Sequence, residues 1–244
     1  MHKPCTITLL FILSACANYN HAPVSDLERP RRAEQSVHIV NRGESLYSIA
    51  WRYGRDFREL AQFNHIKAPY LIKPGQKLSL KKPSITKQQA TNFSIRTPSR
   101  KAAKNKTKDS NAKSTAAAVP LSWQWPAKGR WQKGYINPQA KQAGLEIVGK
   151  RGSPITAAAD GVVVYAGNGL VGYGNLMIIK HSDLFLSAYA HNQKLLVSEQ
   201  KKVKAGEKIA EMGSTGTGNT KLYFEIRRNG QPVDPINYLP KSGL

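Results

Sequence analysis

Side chains that hold metals or move protons are scarce in the C-terminal half of this chain. Between residues 121 and 244 there are two histidines, His181 and His191, and no cysteine. With Glu146 they form a conceivable hydrolytic zinc set, since such a site needs about three protein ligands and an open position for water. His181, however, ends a strand-like run just before Ser182-Asp183, where a turn residue belongs. A second polar group is set by alternation. In Lys221-Leu222-Tyr223-Phe224-Glu225-Ile226-Arg227 the apolar side chains face one way, and Lys221, Tyr223, Glu225 and Arg227 the other.

Strands must position these groups. Gly161–Tyr165, Leu176–Lys180 and Phe185–Tyr189 are short β-type runs bounded by Gly, Asn and Asp turns. Residues 121–244 therefore predict an antiparallel, β-rich domain with one polar, groove-like face. Residues 37–81 have a different pattern. Val37–Val40 alternates as a strand. Ser45 is a good N-cap before Leu46, Ile49, Ala50 and Tyr53 at helical spacing, and Gly54 stops that helix. Asp56 with Glu59 predicts a capping box for a second helix, and Pro74-Gly75 turns the chain into Lys77–Leu80. The sum is a small β-α-α-β domain, so the whole chain reads as α+β and mainly β.

Between the two, residues 82–120 carry nine Lys or Arg against one acid, Asp109, with Phe93 the single aromatic. Such a stretch lacks the apolar surface to offset its conformational entropy and predicts a basic flexible linker. The chain of 244 residues has 37 Lys and Arg against 15 Asp and Glu, a net charge of +22. A polyanionic neighbour is implied, and nucleic acid would be the default. The aromatic-poor linker lacks stacking residues for single strands, and the N-terminus argues for export instead.

Residues 1–16 read MHKPCTITLLFILSAC, with a basic Lys3, a short apolar run and small residues before a cysteine. This resembles a bacterial lipoprotein signal, in which 1–15 are removed and Cys16 becomes the lipidated first residue. Asn18 after Ala17 then implies the outer membrane, with 16–36 as a tether. Cys5 leaves with the signal, so no disulfide is expected, and the acyl chains on Cys16 are the expected anchor.

The stretch Val40-Asn41-Arg42-Gly43-Glu44-Ser45-Leu46-Tyr47-Ser48-Ile49-Ala50, with Asn64 and Ile72-Lys73-Pro74-Gly75-Gln76-Lys77-Leu78, resembles the LysM peptidoglycan-binding domain. The resemblance implies glycan contact at Gly43, Glu44, Ser45 and Leu46, and at Tyr70, Leu71 and Ile72.

Further on, Gly152-Ser153-Pro154-Ile155-Thr156-Ala157-Ala158-Ala159-Asp160-Gly161, Gly172-Tyr173-Gly174-Asn175, Tyr189-Ala190-His191, Gly213-Ser214-Thr215-Gly216 and Val233-Asp234-Pro235 resemble the LytM-like, lysostaphin-type zinc endopeptidases. Active members hold zinc with the His and Asp of His-x-x-x-Asp and the second His of a late His-x-His. The matching positions here are Gln142, Glu146 and Tyr223, and the first His of the late pair is Lys221. His191 alone remains of the usual catalytic set. No catalytic residue, metal or cofactor is therefore expected.

The order of lipid signal, LysM, basic linker and degenerate domain is similar to that of the NlpD-type activator lipoproteins. That resemblance implies a non-catalytic partner of a periplasmic N-acetylmuramoyl-L-alanine amidase, bound to peptidoglycan and promoting septal wall splitting. The vacated groove would dock an amidase helix through Gln142, Glu146, Tyr173, Tyr189, His191, Lys221 and Tyr223. Two other readings stand beside it: a zinc endopeptidase with an altered ligand set, and a passive wall-binding lipoprotein.

Overall fold

A hydroxyl begins the first helix of the N-terminal domain. In the computed structural model, which describes residues 36–81, 121–134 and 144–241, Ser45 caps α1 (Leu46–Arg52) and exchanges bonds with Ser48 in a capping box. Asp56 caps α2 (Phe57–Phe63) by accepting from Arg58 N. The capping box expected with Glu59 is replaced there by Arg58, whose Nε lies 3.0 Å from the Asp56 carboxylate. The helices lie between β1 (Val37–Ile39) and β2 (Lys77–Ser79), which pair antiparallel. Leu46, Ile49, Leu60 and Leu78 fill the centre.

Asn64 stitches this domain together. Its Nδ2 donates to Leu60 O at 2.8 Å and Ser79 O at 2.9 Å, and Ser79 N donates to its Oδ1 at 2.6 Å. Asn64→Ala leaves these three backbone groups without that partner and is expected to cost about 3 kcal/mol, with each neutral bond worth about 1 kcal/mol net. Urea denaturation of the full chain measures it, and an unchanged midpoint would show water replacing the amide without loss.

Among the described residues of the C-terminal domain, ten strands form one antiparallel sheet. They are β3 (Arg130–Gly134), β4 (Gly144–Val148), β5 (Pro154–Thr156), β6 (Gly161–Gly167), β7 (Asn175–Lys180), β8 (Phe185–Leu195), β9 (Lys202–Val203), β10 (Lys208–Met212), β11 (Lys221–Arg228) and β12 (Gln231–Val233). The main order is β3-β4-β11-β8-β7-β6-β9, with β10 joining β5 to β8 and β12 flanking β11. One face carries Leu145, Ile147, Met177, Ile179, Tyr189, Leu222, Phe224 and Ile226 into the domain core.

The opposite face departs from expectation. It is polar near β4 but apolar across β6, β7 and β8, where Tyr165, Leu176, Ile178, Leu186, Ala188 and Ala190 join the same buried cluster as the N-terminal domain's Leu46, Ile49 and Trp51. The described residues of both domains belong to one compact unit. A sheet covered on both faces needs apolar residues at successive positions, and Leu176-Met177-Ile178-Ile179 supplies them.

Candidate functional site

Antiparallel register assembles a polar corner at one end of this face. Gln132 on β3, Glu146 on β4 and Tyr223 on β11 stand in one row across the sheet. Gly144 leaves room for the Tyr223 ring, which a Cβ at that position would meet. Lys221, two residues before Tyr223 and on the same side, reaches Glu146 with Nζ 2.5 Å from Oε1. Gln132 Nε2 donates to the other carboxylate oxygen at 3.0 Å. Burial works to raise the Glu146 pKa, but the bonds from Lys221 and then Gln132 hold it below the usual carboxylate value.

His191 sits beside this corner because β8 kinks. Its backbone has φ 66°, in the left-handed region, a conformation that costs of order 1–3 kcal/mol in a residue with a side chain. His191 N donates to Tyr173 O at 2.9 Å, and Nδ1 lies 2.8 Å from Thr215 O, so that nitrogen carries the proton. Burial first, and the Lys221 charge as well, lower its pKa, so the ring is neutral at pH 7. The Tyr223 ring lies 6.4 Å from His191 and 6.2 Å from Tyr173. Its hydroxyl donates to Glu225 Oε2 at 2.9 Å, and burial, with Glu225 next, raises its pKa.

Among the described residues of the corner, a positive ammonium lies against Glu146 and the Tyr223 hydroxyl is turned to Glu225, while the bond from Nδ1 to Thr215 O leaves Nε2 as the acceptor of the His191 ring. Among the described residues no group of three His, Cys, Asp or Glu is arranged to hold a metal. His181 belongs to another network, bonded to Asp160 O and Ser187 Oγ.

Of the seven predicted groove residues, Glu146, Tyr173, His191, Lys221 and Tyr223 come together. Tyr189 does not. It pairs with Phe224 and Met177, so alternation turns its ring into the core, where it is fully buried and Ala158 N donates to its hydroxyl. Gln142 and Cys16 lie outside the described residues, as do the 82–120 linker and the tether. Sequence reasoning missed Gln132, Thr215 and Trp51. Trp51 carries a signal, being a large apolar residue of α1 that falls off the Leu46-Ile49-Ala50-Tyr53 stripe.

Tyr70, in the second loop expected to read glycan, packs on the starts of both helices, its ring 6.0 Å from Tyr47 of α1 and 5.5 Å from Phe57 of α2. Gly43 and Leu71 are exposed and Ile72 is half-buried. Glu44 binds His38 Nε2 at 2.7 Å and Arg52 Nη1 at 2.6 Å. Leu46 is fully buried, a core side chain that offers a ligand only its backbone. Among the described residues no helix is long and apolar enough to cross a membrane.

Residues 38–81 match the LysM domain family and residues 140–235 match peptidase family M23. The murein hydrolase activator NlpD of Salmonella dublin is 40% identical over 258 residues, covering 84% of this chain and 68% of its own. The lipoprotein NlpD/LppB homolog of Pseudomonas aeruginosa is 42% identical over 263 residues, covering 94% and 89%. The outer membrane antigenic lipoprotein B of Haemophilus influenzae is 37% identical over 260 residues, covering 84% and 64%. With relatives this similar along most of the chain, and the LysM and M23 regions found in it, the chain belongs to the NlpD/LppB lipoprotein family.

Proposed function

We propose that this chain is a non-catalytic activator of a periplasmic N-acetylmuramoyl-L-alanine amidase, working at the septal wall to help daughter cells separate. The LysM domain binds peptidoglycan, and lipid on Cys16 anchors the chain to the periplasmic face of the outer membrane. The observation that carries the reading is the Lys221–Glu146 pair: an ammonium group takes the place that a hydrolytic cation would need. The relatives named as murein hydrolase activators support the same direction.

The corner and its flank then serve binding instead of bond cleavage. Lys221 presents a cation and Gln132 and Glu146 present polar atoms to a helix lying along the face, while Tyr173 and Tyr223, buried here, offer aromatic surface once uncovered. Gln142, at the first ligand position, belongs to this rim by sequence. An activator of this kind needs only to bind the open amidase more tightly than the closed one. A few kcal/mol of difference shifts the population strongly.

Release of soluble fragments from peptidoglycan tests the proposal, using the purified lipid-free protein alone and with the organism's amidases. Release is expected only when an amidase is present. Lys221→Glu places two carboxylates together and is expected to weaken activation about thirtyfold, the scale of an interface hot spot. Release by this protein alone, lost on adding a chelator, would instead establish a zinc endopeptidase. No effect on any amidase would leave a passive wall-binding lipoprotein.

A further inference from the structure

The apolar face beside the polar corner has an occupant within the same chain. Leu176, Ile178, Ala188 and Ala190 have no exposure and Leu186 has 5%, although the residues alternating with them already fill the core on the other side. What covers them is the LysM domain, seated through Trp51. Trp51 Nε1 donates to Tyr173 Oη at 3.1 Å, and the Arg227 guanidinium lies 3.7 Å from the indole. Arg227 Nη1 also donates to Trp51 O at 2.6 Å. Trp51 thus touches Tyr173 directly, and reaches Tyr223 through Arg227 and Glu225.

The rim of this contact is polar. Arg58 Nη2 donates to Asn229 Oδ1, and Gln231 Nε2 to Gly54 O, both at 2.9 Å. Gly230, with φ 74°, passes so close to Arg55 that no Cβ would fit. An apolar centre with a polar, hydrogen-bonded rim is the anatomy of a protein–protein interface.

The glycan-reading loop is part of the same latch. Ser45 Oγ donates to Val164 O of β6 at 3.0 Å. Arg52 bridges Glu44 of that loop, at 2.6 Å, and Gly169 O of the C-terminal domain, at 2.9 Å. A hydroxyl has one proton to give. A sugar that takes the Ser45 proton, or draws Glu44 from Arg52, competes with the contact between the domains.

We propose that the LysM domain is the resting occupant of the docking face, and that glycan bound at the Gly43–Leu46 loop releases it for a partner helix. Wall binding and partner binding are then coupled, and the coupling is reciprocal. Loss of the Ser45 and Arg52 bonds, the first neutral and the second from a charged donor, shifts the closed-to-open ratio about tenfold or more. The identity of the incoming helix rests on the activator reading; the cover itself rests on the contacts between Trp51, Tyr173, Arg227 and the apolar face.

Thiol accessibility in the full chain tests this. With Cys5→Ser and Cys16→Ser as background, Ala188→Cys places a thiol under the cover, Ala210→Cys places one in the core, and Val171→Cys marks an exposed position. Reaction with an aromatic disulfide reagent is expected to be slow at 188. It should rise about tenfold in saturating N-acetylglucosamine oligosaccharide, with binding followed by calorimetry, and also in Arg52→Ala. Position 210 should stay slow throughout, which separates opening from unfolding. A thiol at 188 as fast as that at 171 without sugar overturns the cover. A rate at 188 unchanged by bound sugar overturns the coupling, and failure of the sugar to bind overturns it with the glycan reading. Amidase activation is scored separately by fragment release, so failure of that reading leaves the thiol result standing.

Discussion

Glu225→Ala is expected to destabilise the folded chain by about 3–5 kcal/mol, the cost of leaving one partner of a buried ion pair alone. Glu225 and Arg227 side chains are 4% and 8% exposed, and Arg227 Nε lies 2.6 Å from Glu225 Oε1. Two groups lose their acceptor when the carboxylate goes. The Arg227 guanidinium keeps Trp51 O and the indole ring but has no countercharge, and the Tyr223 hydroxyl loses Glu225 Oε2. Glu225→Ala combined with Arg227→Met should recover much of the loss, because no buried charge then remains unpaired. Urea denaturation of the three proteins measures both effects. A single-variant cost below about 1 kcal/mol would mean that water reaches Arg227 and the domains are not closed over it.

Acid should destabilise this chain over a window set by His181. Burial pushes its pKa from 6.5 down to about 4. The proton inventory explains why the neutral ring is preferred. Nδ1 lies 2.8 Å from Asp160 O and must donate, so Nε2, 2.7 Å from Ser187 Oγ, accepts. Tyr189 Oη, 2.9 Å from Ser187 Oγ, then gives its proton to Ser187 while accepting from Ala158 N. Protonation at Nε2 forces Ser187 to turn its proton to Tyr189, whose own proton then has no acceptor in that chain. Between pH 6.5 and about 4 the unfolded chain binds a proton at this residue that the folded chain refuses. Stability present above pH 6.5 is therefore lost as pH falls through that window, by up to about 3 kcal/mol. Unfolding curves for the protein and for His181→Gln across this range check the sign. The variant should show the shallower loss on acidification, and parallel curves would mean that the folded ring accepts the proton freely.

Much of the fold was legible because its signals are local. Ser45, Gly54, Asp56 and Pro74-Gly75 mark caps and turns through their own backbone preferences, and those boundaries need no distant partner. Alternation along β11 placed Lys221, Tyr223, Glu225 and Arg227 on one side correctly, since its pairing with β4 and β8 runs without a register shift. The groove expected from the resemblance misses at β8. Tyr189 was expected there with His191, two residues on, yet alternation keeps Tyr189 in the core and the kink at His191 turns only the later ring to the corner. Leu46 shows a related limit, as a residue of the loop expected to contact glycan whose side chain is required by its own core.

Residue identity, through the resemblance to lysostaphin-type peptidases, implied that the usual hydrolytic ligand set is lacking, with Gln142, Lys221 and Tyr223 at the positions expected to carry metal-binding or catalytic histidines. Tertiary structure decided what these residues do instead. Lys221 and Glu146 are 75 positions apart and meet only through the β4–β11 register. Trp51 and Arg227, 176 positions apart, meet only because an apolar sheet face must be covered and the LysM domain covers it. Caps and alternation are written into a few neighbouring residues, whereas register and domain docking depend on which distant surfaces lose water together.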